Sequence, residues 1–288
     1  MHYKDAKSIL SSKNGMNPYR GCTHGCIYCD SRSECYGMTY TFEDVEVKQN
    51  APQLLEDALR KKRGRSMIAT GAMSDPYLPL EKSERLTRHC LEIIDRYGFG
   101  FSVITKSDLV LRDMDLLQSI HHKAKCVVQM TLTTYDEALC RILEPNVATT
   151  RRRFEVLKEL QSAGIPTVVW LTPILPFLND TEENIQELLS YCGEAGVRGI
   201  LTFGIGMTLR SGNREYFYQK LDEHFPGMKQ RYMRAFGTAY GIKSPNGKTL
   251  GKLVKEFCKQ NDILCGTQTV FDYLNQLDRP QEQLSLFE

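Results

Sequence analysis

From residue 17 to residue 203, short apolar runs bounded by Gly, Pro and Ser alternate with longer amphipathic stretches. Runs of this kind read as buried strands, and the stretches between them as helices with one apolar face. Strands are predicted near Asn17–Gly21 and over Met67–Thr70, Phe101–Thr105, Val127–Leu132, Thr167–Leu171 and Gly199–Phe203. Helices are predicted over Ala51–Lys61, Ser83–Tyr97, Asp113–His121, Thr149–Ala163 and Glu182–Glu194. Such regular alternation requires parallel strands with right-handed crossovers and helices outside the sheet. Six βα units fall short of a closed eight-strand barrel, so the expected fold is α/β, a partial (β/α)6 barrel of TIM type over residues 1–206. Residues 207–277 are aromatic, basic and helical in pattern through Asn213–Gln260, with strand-like pieces near the end, and are expected to cover the open side; residues 278–288 are polar, contain Pro280 and are expected to form a mobile tail.

Charged residues make up 25% of the 288 positions and hydrophobic ones 41%, which suits a soluble globular protein. The first residues lack a basic-then-apolar leader pattern and no apolar run is long enough to span a bilayer, so no membrane partner and a cytoplasmic location are expected. In that reducing compartment the ten cysteines are not expected to form a disulfide framework; a tight group of them points to metal or redox chemistry, and the scattered ones to small buried hydrophobes. The net charge of +2 does not indicate a nucleic-acid partner by itself. Positive charge is nevertheless gathered at Arg60–Arg65 (RKKRGR), Arg151–Arg153 and Lys229–Arg234 (KQRYMR), each readable as a solvated helix surface or as a phosphate contact.

The stretch NPYRGCTHGCIYC at 17–29 spaces Cys22, Cys26 and Cys29 as C-x3-C-x2-C on the loop after the first strand, with Gly21 and Gly25 permitting a tight backbone path. Three soft ligands at this spacing suit an iron–sulfur cluster or zinc. A structural zinc site would need a fourth ligand, for which Cys35 or His24 is available. Three ligands on a four-iron cluster leave one iron open.

With Tyr28 immediately before the third cysteine, the motif resembles that of radical SAM enzymes. Within that superfamily the chain is similar to the spore photoproduct lyase-like branch from about Lys7 to Ile205, through SDPYLPLE at 74–81, TKSDLVLRD at 105–113, TLTTYDEALCRILEP at 131–145 and AGIPTVVWLTPILPFLND at 163–180. Its length and tail also resemble a subgroup found on mobile elements as paired radical SAM proteins, which implies a second radical SAM protein as partner. The resemblance implies a 4Fe-4S cluster on Cys22, Cys26 and Cys29 with S-adenosyl-L-methionine on the open iron. It further implies Tyr28 near the adenine and contacts to that cofactor from Ser74, Asp75, Lys106 and Thr131. The implied reaction is reductive cleavage of the sulfonium to a 5′-deoxyadenosyl radical that removes hydrogen from a substrate, with the electron coming from a donor of flavodoxin or ferredoxin type. In the CRILEP segment, Glu144 reads as a structural ion pair or cap, and the role of Arg141 is open.

The chain departs from the branch at one chemically important place. Spore photoproduct lyases carry a hydrogen-donating cysteine two residues before the Ser-Asp pair, where this chain has Ala72 in Gly71–Asp75. Cys35 is the nearest replacement donor or a bystander, and Asp30 stands where those lyases tend to have tyrosine. Cys258 and Cys265 offer weak grounds for a second cluster.

The tail contains QLSLF, which resembles the peptide that docks bacterial DNA-processing enzymes on the replication sliding clamp, with Leu286 and Phe287 as apolar anchors beside Leu284 and with Gln283 at the pocket edge. The alternative is an apolar tail folded over its own core. The leading functional reading is a lyase-like radical SAM enzyme that repairs or modifies DNA. Tyr216, Phe217, Tyr218, Tyr232 and Phe236 then either stack on a base or pack the cover. The alternatives are the same chemistry on RNA, protein or a small molecule with a partner enzyme, and a non-catalytic zinc-containing nucleic-acid-binding protein.

Overall fold

The computed structural model describes residues 1–277. The tail from 278 onward, including Gln283, Leu284, Leu286 and Phe287, lies outside the described residues.

The strands are β1 (His2–Lys4), β2 (Gly15–Met16), β3 (Tyr19–Arg20), β4 (Glu46–Lys48), β5 (Met67–Thr70), β6 (Gly100–Thr105), β7 (Cys126–Thr131), β8 (Thr167–Trp170), β9 (Gly199–Leu201), β10 (Gly206–Thr208), β11 (Gly241–Lys243) and β12 (Leu264–Cys265). The helices are α1 (Ala51–Lys61), α2 (Glu81–Glu84), α3 (Leu86–Tyr97), α4 (Met114–Lys123), α5 (Glu137–Leu143), α6 (Thr150–Ser162), α7 (Glu182–Glu194), α8 (Asn213–His224), α9 (Met228–Phe236), α10 (Gly247–Gln260) and α11 (Thr267–Asn275).

The main sheet has seven parallel strands in the order β12-β9-β8-β7-β6-β5-β2. From β5 to β9 the order follows the chain without reversal, so successive crossovers wind one way and the sheet curves as part of a barrel. Alternation along the strands separates two faces. Val128, Met130, Val169 and Ile200 join the core under the outer helices, whereas Val127, Val168 and Leu201 pack against Val270 and Leu274 of α11. On that inner face Gln129 donates to Ser102 at 2.6 Å and accepts from the Trp170 indole at 2.7 Å. The helices start where the sequence supplies caps: Thr149 accepts from the Arg152 amide at 3.3 Å and Thr181 from the Asn184 amide at 3.1 Å.

Three elements differ from the sequence-based expectation. The strand expected near Asn17–Gly21 is not part of the main sheet: its place is taken by β2, while β3 pairs antiparallel with β4, which also pairs with β1. The helix expected over Ser83–Tyr97 is broken at Arg85, whose φ is +51°. The physical cause is Glu81, whose buried carboxylate turns back to accept from the amides of Thr87 at 3.0 Å and Arg88 at 3.3 Å and so caps α3. The third difference lies after residue 206: β12 falls near the end, where strand-like pieces are expected, but β11 interrupts the stretch read as helical. There β10 and β11 form an antiparallel ribbon, and β12 joins the edge of the main sheet beside β9. Among the described residues no helix is long and apolar enough to cross a membrane.

Candidate active site

The cysteine loop runs from β3 over the C-terminal ends of the barrel strands, and its path is set by backbone contacts. The Cys22 amide donates to the Phe42 carbonyl at 2.9 Å and the Ile27 amide to the Leu143 carbonyl at 3.0 Å. Asn146 holds the middle of the loop, its amide reaching the His24 carbonyl at 3.1 Å and its side chain the Thr23 carbonyl at 2.9 Å. Gly21 and Gly25 have φ of +91° and +74°, and a Cβ on Gly21 would lie 2.6 Å from the Phe42 oxygen. The glycines flanking the first thiols are therefore required by both conformation and space.

Cys22, Cys26 and Cys29 line one cavity of about 110 Å³ together with His24, Tyr28, Ser74, Asp75, Lys106 and Thr131. Several atoms of ligand size fit there, since one water-sized occupant needs only about 10–15 Å³. Burial pushes the Cys22 thiol well up, with the neighbouring Cys29 and Cys26 adding to the effect, and burial pushes Cys26 up to about 12. Such thiols become ligands when a bound cation displaces their protons. All three are free thiols, a soft donor set of the kind that holds an iron–sulfur cluster.

A second cavity, of about 730 Å³, shares Tyr28, Cys29, Lys106 and Thr131 with the first and opens between Trp170, Phe203, the β10–β11 ribbon and the start of α10. Lys106 stands 5.9 Å from the centre of the Tyr28 ring. Burial opposes its charge, but its electrostatic interactions with the Cys26 sulfur and the Glu144 carboxylate outweigh that and shift its ammonium above the usual lysine value. Thr131 ends β7 and is buried.

Ser74 and Asp75 reach only the smaller cavity, and their oxygens are engaged by the chain. The Ser74 hydroxyl donates to the Gly21 carbonyl. Asp75 accepts from the Tyr77 amide at 2.9 Å, from the Thr105 hydroxyl at 2.8 Å and from the Lys106 amide at 2.8 Å, and it faces His24 at 3.4 Å. Both residues tie the end of β5 to the parts that carry the thiols and Lys106.

Cys35 does not join the site. The short 3-10 turn Glu34–Tyr36 holds it at the surface, where Arg210 donates to its sulfur at 3.2 Å, so its position does not suit a hydrogen donor to either cavity. The same displacement removes it as a fourth ligand, whereas His24 lines the smaller cavity with its Nδ1 3.4 Å from Asp75. Cys258 and Cys265 lie against each other, away from the three loop thiols.

Glu144 forms the structural ion pair expected of it, but sequence reasoning missed its partners, Arg153 and Tyr28. The Tyr28 hydroxyl donates to Glu144, which also receives Arg153; the Glu144 and Arg153 side chains are both 0% exposed. Burial opposes the charge of Glu144, but Arg153 and then Lys106 hold its carboxyl below the usual range. Arg153 belongs to the triplet read as a surface or phosphate-binding run. The triplet divides instead: Arg151 lies over the Phe154 ring, Arg152 pairs with Asp108 and Glu159, and Arg153 turns inward to donate to the Thr131 carbonyl at 2.7 Å. The signal was present, because Arg153, Leu157 and Leu160 share one face of α6. Arg141 is exposed on α5 and takes no part. Of the aromatics proposed for stacking, Phe217 and Tyr232 are buried against each other, with ring centres 5.3 Å apart, which gives them a packing role.

The family model described as the radical SAM superfamily matches residues 16–192. The chain belongs to this superfamily. An uncharacterized protein of Methanocaldococcus jannaschii is 36% identical to it over 183 residues, covering 62% of this chain and 67% of that protein. An uncharacterized protein of Mycobacterium tuberculosis is 29% identical over 235 residues, 80% of this chain and 68% of its own. A radical SAM Nα-GlyT isomerase of Pseudomonas phage M6 is 24% identical over 192 residues, 66% of this chain and 39% of that protein. Among solved structures, a spore photoproduct lyase variant superposes with a TM-score of 0.64 at 13% identity, covering 91% of this chain and 80% of that one. Streptococcus suis SuiB bound to S-adenosylmethionine gives 0.55 at 14% identity, covering 88% and 49%. At these identities the likeness to solved structures is one of fold. The protein is thus a radical SAM enzyme, a class defined by an iron–sulfur cluster and S-adenosylmethionine and supplied with electrons from outside.

Proposed function

We propose that this radical SAM enzyme repairs or modifies DNA, with Cys22, Cys26 and Cys29 holding a 4Fe-4S cluster in the smaller cavity, beside the larger one. The observation that carries the reading is the continuity of the two cavities through Tyr28, Cys29, Lys106 and Thr131. When bound there, the cluster and S-adenosylmethionine supply one-electron cleavage that generates a hydrogen-abstracting 5′-deoxyadenosyl group. The chain does the rest. Lys106 is a cation for the cofactor carboxylate, Thr131 offers a hydroxyl, and the Tyr28 ring forms a wall beside the adenine. Ser74 and Asp75 hold these groups in place through their bonds to the Gly21 carbonyl, the Thr105 hydroxyl and the Lys106 amide. The electron donor is of flavodoxin or ferredoxin type.

Support for DNA comes from the fold neighbours, one of which is a spore photoproduct lyase variant with bound AdoMet and dinucleoside spore photoproduct, at a TM-score of 0.60 and 14% identity. The decisive test is to reconstitute the protein without oxygen and compare 5′-deoxyadenosine formation with DNA, RNA and peptide, while searching the recovered nucleosides for a mass change. Stimulation by DNA with an altered nucleoside is the expected result. Stimulation by RNA or peptide alone would reject the DNA assignment and leave the enzyme class intact.

Gln283, Leu284, Leu286 and Phe287 form the proposed clamp-binding peptide. Immobilised sliding clamp is expected to retain the full-length protein and to release it when 283–287 are deleted; equal retention of both would remove the clamp from the scheme. The division into a barrel (1–206), a cover (207–277) and a tail (278–288) belongs to the same proposal, as does pairing with a second radical SAM protein.

A further inference from the structure

The helix that begins at the mouth of the larger cavity is strongly two-sided. Leu250, Val254 and Cys258 of α10 are buried, with Leu253 and Phe257 packed beside them. Lys248, Lys252, Lys255 and Lys259 are all exposed and fall within about 60° of arc on the opposite side, at 3.6 residues per turn. An amphipathic helix needs polar residues there, but it does not need them all to be cations. The only acid in α10 is Glu256, which pairs with Lys252 at 3.6 Å, and of the four lysines only Lys252 has a carboxylate partner among the described residues. The row extends for roughly 16 Å at 1.5 Å per residue.

Its position gives the row meaning. Lys248 lines the larger cavity, as does Lys243 at the end of β11, and across the mouth stand Trp170 and Phe203, with ring centres 5.2 Å apart. Phe203 is 54% exposed, a large aromatic surface left open at the opening of a catalytic cavity. A cationic track that ends at an exposed aromatic ring is the arrangement by which proteins hold the backbone of a single strand and stack its bases. The basic run Arg60–Arg65 sits elsewhere, at and beyond the C-terminal end of α1, and none of its residues lines the cavity.

We propose that the α10 lysines are the backbone track for a single DNA strand, which delivers one base past Phe203 into the larger cavity. This rests on the DNA reading above. The test uses the reconstituted holoenzyme and fluorescence anisotropy of a labelled single-stranded oligonucleotide over a salt series, with melting temperatures to show that each variant is folded. The variant K252Q/K255Q/K259Q is expected to bind roughly tenfold more weakly or worse, with the slope of log affinity against log salt reduced by about 2, that is about 0.7 for each lost contact. The variant R60Q/K61Q/R63Q is expected to bind within about twofold of the parent, since nonspecific surface charge would affect both alike.

Unchanged binding by the α10 variant would overturn the track while leaving DNA as substrate. Failure of the parent holoenzyme to bind DNA at all would reject both. A variant that binds DNA normally but accepts electrons more slowly from an acidic flavodoxin would show the lysine row to be a donor-docking face, which also overturns the proposal.

Discussion

Replacing Arg153 with methionine is expected to lower stability by about 3–5 kcal/mol, the usual result of removing one partner from a buried ion pair. The expectation follows from geometry: Arg153 is entirely enclosed and reaches Glu144 and the Thr131 carbonyl, so no water can replace it. In a chain of this size the loss corresponds to a melting temperature lower by on the order of 10 °C. The neighbouring Arg152→Met is the control, because its partners Asp108 and Glu159 are solvent-exposed and such pairs contribute about 0–1 kcal/mol.

The pH dependence carries a sign. In the parent the Glu144 carboxyl is held low in the folded state, so its contribution is complete above the unfolded glutamate value of about 4.3 and is lost as pH falls through the folded value. Without Arg153 the burial penalty is opposed mainly by Lys106, the folded carboxyl rises, and the variant should lose stability as pH increases toward neutrality. Urea unfolding at several pH values measures both effects. A loss below about 1 kcal/mol would mean that the pair does not frame the site.

The barrel was legible because its inner strands are continuous apolar runs, and β5 to β9 fall where those runs do. The errors occurred where pairing is non-local or where a side chain overrides periodicity. The two-residue strand β2 has no run to detect, and the β10–β11 ribbon joins Gly206–Thr208 to Gly241–Lys243 across a helical insertion. Glu81 broke a helix that local propensity would have continued. At the site, the thiols, Lys106 and Thr131 could be placed by motif and strand end, but the frame that aims them could not. That frame is a chain of buried contacts from Thr131 and Arg153 through Glu144 to Tyr28, spanning 116 residues in its last link. Basic residues misled for a related reason. Contiguous runs attract notice, yet Arg153 is core, whereas the lysines of α10 are separated by three or four positions and gather on one face only when helical geometry is applied.

Replacing any one of Cys22, Cys26 and Cys29 with serine is expected to have the largest effect on activity, reducing 5′-deoxyadenosine formation below detection. Serine keeps the size and hydrogen-bonding capacity of the side chain but substitutes a hard, weakly acidic oxygen for a soft thiolate, so the fold can persist while cluster ligation fails. Cys26 gives the cleanest case, because burial already pushes its thiol to about 12 and only a bound metal centre makes the thiolate its favoured form. Iron and acid-labile sulfide per chain should therefore fall with the activity, while the metal-free variant melts close to the metal-free parent. Cys35→Ser should retain both iron and activity, since that thiol faces Arg210 outside the two cavities. The comparison separates the roles without relying on turnover alone. Loss of iron in all three loop variants, and in none of the others, assigns the ligands; zinc in the parent at one ion per chain would overturn the cluster, and loss of iron in Cys35→Ser would restore that residue to the metal site.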